Sequence, residues 1–144
     1  AVGLREMSLM MMDMDRVHAI NEQHGPRAGD LVICALADII RFQIRTGDIA
    51  ARLSGDEFAV LLPDTNAGNT GILAERIREQ ANRTLVNVPE TPDSEALVPI
   101  GIRTSIGIAA APAHAGSMES LFDAADNALR KAKDLGRDRV EIAG

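Results

Sequence analysis

The chain has 144 residues, 46% of them hydrophobic and 25% charged, with a formal net charge of −6 and only 2% aromatic residues. Its length suits one acidic globular domain that buries about 68–70% of its unfolded surface and needs neither disulfides nor a structural metal. The acidity excludes broad binding to nucleic-acid polymers or anionic membrane surfaces, and three Phe without Trp or Tyr leave no base-stacking platform. No run approaches the ~18 apolar residues of a membrane span, so the chain reads as soluble. The lone Cys34 lies in the apolar run Leu31–Ile40 and reads as a small buried hydrophobe in a reducing compartment.

The segment from Ala1 to Met14 carries the run Leu9-Met10-Met11-Met12, which reads as a buried strand because it passes directly into Asp13 and Asp15 without a cleavage site. Asp15 is a candidate N-cap for a short helix over Arg16–Gln23, which the Gly25-Pro26 turn stops. Helical spacing of Leu31, Val32, Leu36, Ile39 and Ile40 predicts an amphipathic helix over Asp30–Ile44. Strands over Ile49–Leu53 and Phe58–Leu62 flank the turn Ser54-Gly55-Asp56-Glu57, a hairpin signal. A second long helix starts near Pro63–Asn66, with Ile72, Leu73 and Ile77 on its apolar face. Residues 87–99 hold three prolines and no periodicity, so they read as a surface excursion. A strand over Ile100–Ala111 follows, then a helix capped by Ser117 with Ser120, bearing Leu121, Phe122, Ala125 and Leu129 and stopped by Gly136. A short strand over Arg139–Ile142 ends the order βααββαβαβ, which implies an α/β sandwich with a mixed, mostly antiparallel sheet flanked by helices.

Two acidic groups stand at strand ends, Asp13 and the pair Asp56-Glu57. If the two strands are neighbours, their hard oxygen donors make a site for Mg²⁺ or Mn²⁺; the alternative is ordinary turn and cap acids on a surface. His18, His24 and His114 have no zinc-ligand spacing. No P-loop or dinucleotide fingerprint is present, so phosphates would be held by a cation, by the turn Gly25–Gly29, or by Lys133 and Arg137 one helical turn apart. Taken alone, Lys133 and Arg137 also read as charges that favour a helix C-terminus.

Four motifs in order resemble one family. Arg52-Leu-Ser54-Gly55-Asp56-Glu57-Phe58 resembles the signature loop of GGDEF domains, the diguanylate cyclases, which join two GTP into cyclic di-GMP. Asp13-Met-Asp15-Arg-Val-His-Ala-Ile-Asn21, Gly25-Pro-Arg-Ala-Gly-Asp30 and Ala132-Lys133-Asp-Leu-Gly136-Arg137-Asp-Arg-Val140 resemble the family's other segments. The resemblance implies the nucleotidyl-cyclase palm with a ferredoxin-like core. By position, Asp13, the Met14 carbonyl and Asp56 would ligate two Mg²⁺ (or Mn²⁺) ions, and Glu57 would assist the 3′-hydroxyl or the second metal. Asn21 and Asp30 would bond guanine, the loop residues Ser54 and Gly55 would approach substrate, and Lys133 and Arg137 would hold phosphates. The implied two-metal reaction is attack of one GTP's 3′-hydroxyl on the other's α-phosphate, which requires a homodimer because each domain holds one GTP. Arg45-Thr-Gly-Asp48, with Arg76 in support, resembles the family's R-x-x-D inhibitory site for cyclic di-GMP. A surface ion pair is the other reading of Arg45 and Asp48.

Departures from the pattern are Ser54 for glycine, Val17 for phenylalanine, His18 for lysine, Pro26 for histidine and Arg130 for tyrosine. None removes a metal ligand. If the family's glycine uses positive φ, Ser54 would cost about 1–2 kcal/mol there. The expected family segment upstream of Asp13 is missing, which implies a single domain over residues 1–144 that is a fragment of a cytoplasmic or membrane-anchored protein with sensory or phosphodiesterase modules. The competing function is a catalytically silent domain that binds GTP or cyclic di-GMP and regulates such a module.

Overall fold

Leu9–Met12 forms the middle of the innermost strand of a five-stranded sheet, in a computed structural model that describes residues 5–144. Ala1–Leu4, at the head of the first expected segment, lie outside the described residues. The elements are β1 (Met7–Met14), α1 (Val17–His24), α2 (Pro26–Gln43), β2 (Ile49–Ser54), β3 (Glu57–Pro63), α3 (Ala67–Arg83), β4 (Leu85–Pro89), β5 (Leu97–Gly101), β6 (Thr104–Ala111), α4 (Met118–Asp134) and β7 (Val140–Ile142). The sheet order is β2-β3-β1-β6-β7, antiparallel except for the β6–β7 pair. This is the mixed, mostly antiparallel α/β architecture expected from the sequence.

Side chains of β1 point alternately to two faces, and each face has its own core. Met10, Met12 and Met14 pack with Val32, Leu36 and Ile77 of α2 and α3. Leu9 and Met11 pack with Leu121, Ala125 and Leu129 of α4. Each such buried Met, Leu, Val or Ile side chain contributes roughly 1.5–3 kcal/mol, so the two-sided strand anchors the domain. By the same alternation Asp13 belongs to the α4 face, and Lys133 of α4 bonds it there.

Several local expectations are corrected. Asp15 does not cap α1: the N-cap is Arg16, at φ 64° with no side-chain cap bond, while Asp15 is buried and bonded elsewhere. α2 starts at Pro26, four residues before the expected Asp30, because proline's fixed φ and missing N–H suit a first helical position. Within residues 87–99, residues 90–96 form a loop, and the two ends belong to an antiparallel ribbon, β4 with β5, whose Val86, Val88, Val98 and Ile100 face inward. Its prolines misled because each strand of a two-stranded ribbon is an edge, where a missing donor is tolerated. The expected strand over Ile100–Ala111 is accordingly split between β5 and β6. Ile72 (58% exposed) and Phe122 (39%) lie outside the apolar faces assigned to them, and Cys34 is exposed rather than buried.

The caps of α4 agree with the sequence. Ser117 and Ser120 exchange reciprocal backbone bonds, and Gly136 at φ +121° closes a Schellman turn with Gly136 N–H on Lys133 C=O (3.2 Å) and Arg137 N–H on Ala132 C=O (2.9 Å).

α4 approaches the sheet over Gly107 of β6, where a Cβ would overlap the Leu129 amide nitrogen and the Ala125 carbonyl oxygen. Backbone cannot step aside as a flexible side chain can. Gly107→Ala is therefore expected to lower stability by roughly 1–3 kcal/mol or more, measured by denaturant unfolding; an unchanged midpoint would contradict the close approach.

Candidate active site

The antiparallel pairing of β1 with β3 sets Asp13 opposite Glu57, and the Met14 N–H donates to the Asp56 carbonyl at 3.0 Å. The two acidic strand ends are thus neighbours, as required for a shared site. Ser54 pairs with Glu57, so the hairpin turn tightens to Gly55-Asp56. Arg52 clamps that turn, its Nε and Nη2 donating to the Gly55 carbonyl at 2.9 and 2.6 Å. Ser54 does not have positive φ, so serine carries no backbone strain at that position.

These elements frame a cleft of about 410 Å³ walled by Asp13, Met14, Arg16, Asp56, Lys133 and Arg137. Asp13 is held by its surroundings: Thr104 Oγ1 donates to its carbonyl at 2.7 Å, and Lys133 Nζ bonds Oδ2. Its other oxygen, Oδ1, is buried and has no hydrogen-bond partner. An orphaned buried carboxylate oxygen is costly in a dry interior and fits a bound cation. Among the described residues no three His, Cys, Asp or Glu side chains gather as a metal cage. The hard donors here are two carboxylates and the Met14 carbonyl, a set that suits Mg²⁺ or Mn²⁺ retaining water or phosphate oxygens. Burial, reinforced by Asp13 beside it, pushes the Glu57 carboxyl above its ordinary 4.5 against a smaller opposing pull from Lys133.

Sequence reasoning missed part of the cleft. The first turn of α1 lines it through Val17 and His18, and Arg16 leaves that helix start without a side-chain cap. Uncapped N–H groups at a helix start attract anions; the signal available was an arginine standing where Ser, Thr, Asp or Asn usually cap. Asp15 was noticed, but its role is different: it accepts from Ser105 Oγ (2.8 Å) and the Asp138 N–H (3.0 Å), and pairs with Arg137 Nη1 at 3.5 Å.

Asn21 and Asp30 are not among the cleft's walls. Asn21 Oδ1 accepts from the Gly29 N–H at 2.9 Å, and a Cβ at Gly29 would overlap that amide. Its NH₂ group remains a donor, and Asp30, the next residue after Gly29, is exposed.

Arg45, Asp48 and Arg76 do come together, around a separate pocket of about 290 Å³. A turn with Gly47 at φ +103° returns the Asp48 N–H to the Arg45 carbonyl (3.1 Å). The Asp48 side chain is only 1% exposed, so this is not an ordinary surface ion pair. Asp48 Oδ2 accepts from the Arg45 N–H (2.9 Å), Oδ1 has no hydrogen bond, and Arg45 Nη2 reaches Thr65 Oγ1 (2.8 Å) and the Pro63 carbonyl (3.3 Å). Glu57 and Pro63 are the two ends of β3, so the pocket and the cleft stand about 20 Å apart along that strand.

The chain matches the diguanylate cyclase, GGDEF domain family over residues 3–139. It belongs to the GGDEF family. It is 37% identical over 134 residues to the probable diguanylate cyclase DgcT of Escherichia coli K12, covering 93% of the chain and 28% of that protein. Diguanylate cyclase A of Treponema denticola is 34% identical over 137 residues, covering 95% of the chain and 35% of that protein. The chain thus spans between 28% and 35% of the length of these two relatives. Among solved structures, the GGDEF domain of YfiN from Pseudomonas aeruginosa is similar with a TM-score of 0.87 and 32% identity, covering 97% of the chain and 83% of that structure. The GGDEF domain of DgcB from Caulobacter crescentus, in complex with cyclic di-GMP, has a TM-score of 0.83 and 29% identity, covering 96% of the chain and 78% of that structure. No helix among the described residues of this GGDEF domain is long and apolar enough to cross a membrane.

The raised Glu57 carboxyl gives a pH dependence with a definite sign. Between 4.5 and the raised value the folded chain holds a proton that the unfolded chain has lost, so stability falls as pH rises through that window. In chelator-containing buffer, Glu57→Gln is expected to flatten this part of the decline in thermal midpoint; an unaltered pH slope would contradict the assignment.

Proposed function

We propose that this domain is a diguanylate cyclase that condenses two GTP into cyclic di-GMP. The observation that carries the reading is the buried, unpartnered Asp13 Oδ1 beside Asp56 and the Met14 carbonyl, in a cleft that also holds Arg16, Lys133 and Arg137. Asp13, Asp56 and the Met14 carbonyl would hold Mg²⁺ or Mn²⁺, which when bound neutralises phosphate charge and acidifies the attacking 3′-hydroxyl. Lys133 and Arg137 bind the phosphates, with the uncapped start of α1 as a further anion-binding edge. Glu57, with its raised affinity for a proton, is suited to take the 3′-hydroxyl proton at its carboxylate as the new phosphodiester bond forms and pyrophosphate leaves. The Asn21 amide donates to the guanine carbonyl, and the Asp30 carboxylate accepts from the ring N–H and amino group. Because one domain supplies one GTP, the active species is a homodimer with facing clefts, acting in the cytoplasm where GTP is supplied.

The Arg45 pocket is read as the product-binding inhibitory site. Arginine forks paired with guanine edges and phosphates suit cyclic di-GMP, and Asp48 keeps Arg45 in place. The chain's share of its relatives' length supports attachment to further modules, which would set dimer geometry and so activity. The silent-domain alternative draws on Ser54 and on the other departures, Val17, His18, Pro26 and Arg130, and the strain-free backbone at Ser54 weakens the first of these arguments.

Incubation with GTP and Mg²⁺ or Mn²⁺, followed by chromatography, is expected to yield cyclic di-GMP. Asp13→Asn or Asp56→Asn should lower the rate on the order of 10²-fold or more, the scale of losing a preorganised charge at the reacting centre. GTP binding without product at high protein concentration would favour the silent-domain reading. Calorimetry with cyclic di-GMP supplies the second check: Arg45→Ala should weaken binding on the order of tenfold or more, and unchanged affinity would reject the inhibitory pocket.

A further inference from the structure

The turn that carries Arg137 is the most strained backbone beside the cleft. After Gly136, both Arg137 (φ 66°) and Asp138 (φ 47°) are left-handed, although neither is glycine. Two successive residues of this kind persist only where the surroundings over-determine them. Local bonds contribute, from the Arg137 N–H to the Ala132 carbonyl (2.9 Å) and from Arg139 Nε to the Arg137 carbonyl (3.2 Å), and three further contacts tie the turn to distant elements. The Asp138 N–H donates to Asp15 Oδ2 (3.0 Å), Arg137 Nη1 lies 3.5 Å from Asp15 Oδ1, and Arg78 Nη1 of α3 donates to Asp138 Oδ1 (3.1 Å). Arg103 adds only a longer approach, 3.8 Å from Asp138 Oδ2, with a half-exposed side chain.

Arg78 is placed to hold its partner rigidly. Its side chain is 19% exposed, and Glu75, one turn earlier on α3, accepts from both its Nε and Nη2. The guanidinium therefore bridges two carboxylates through separate edges of its planar fork, which a lysine cannot do. These partners raise its proton affinity further, so the charge is permanent.

We propose that Arg78 is a positioning residue for Arg137: by gripping Asp138 it holds the left-handed turn that aims the Arg137 guanidinium into the nucleotide cleft. The inference rests on the reading of that cleft as the GTP site. It makes α3, which contributes no wall to the cleft, part of the apparatus that binds phosphate. Arg78 acts through Asp138 and the Asp15 carboxylate and touches no nucleotide itself.

A double-mutant cycle tests this by calorimetric titration of the full chain with GTP and Mg²⁺. Arg78→Gln is expected to weaken GTP binding on the order of tenfold, Arg78→Lys to recover part of the loss, and Arg78→Gln/Arg137→Ala to bind no more weakly than Arg137→Ala alone. Affinity for cyclic di-GMP at the Arg45 pocket should stay unchanged in Arg78→Gln, which separates positioning from general loss of fold. Additive losses in the double variant, or undiminished GTP affinity in Arg78→Gln, overturn the inference and leave the functional reading intact. Wild-type chain that binds no GTP overturns the functional reading, and the inference with it. Amide exchange gives an independent check: the Asp138 N–H should lose protection in Arg78→Gln, and unchanged protection overturns the inference whatever the titrations show.

Discussion

Asp13 concentrates the central constraint of this structure: a carboxylate at the end of the innermost strand, with Oδ2 bonded to Lys133 and Oδ1 buried without a partner. The strand is covered on both faces along most of its length and its Asp13 side chain is only 12% exposed at the cleft, so the buried Oδ1 must be met by the protein or by a ligand. The surrounding contacts serve that requirement. Thr104 fixes the Asp13 carbonyl, the hairpin turn is tied to Met14, and α4 brings Lys133 onto the same face. The rigidity that makes an orphaned oxygen tolerable also preorganises a cation site.

The domain places its two candidate ligand sites at opposite ends of β3. One end presents Glu57 beside Asp13, and the other presents the Pro63 carbonyl to Arg45. Each site contains a buried carboxylate oxygen without a hydrogen bond, on Asp13 and on Asp48. In the cleft the neighbouring groups include, beside the Lys133 ammonium, the Asp56 carboxylate and the Met14 carbonyl, oxygen donors that suit a cation. In the pocket they are guanidinium groups, which suit a base edge or a phosphate. The same polar device thus serves two chemistries according to its neighbours.

The helices and the hairpin were legible because their signals are local. Val32, Leu36 and Ile40 recur at helical spacing, Ser117 with Ser120 is a contiguous cap, and Gly136 is a local stop signal for α4. Pro26 and the β4–β5 ribbon were misread because proline can start a helix or occupy an edge strand, and its context decides which. Cys34 was misplaced because an apolar stretch of helix still turns one side to solvent. Asp15 was assigned to a local cap, whereas its partners Ser105, Arg137 and Asp138 come from distant parts of the chain.

By itself the acidic composition argued against a nucleic-acid polymer as partner, and the four ordered motifs gave the resemblance to the GGDEF family, because composition and short motifs are readable without any fold. They also indicated that Asp13 and Asp56-Glu57 would share a site if their strands were neighbours. Only the tertiary structure decided that β1 pairs with β3, that one Asp13 oxygen is left without a partner, and that the strained turn bearing Arg137 is gripped by Asp15 and Arg78. Those facts depend on sheet order, burial and contacts between residues far apart in sequence, which no local pattern encodes.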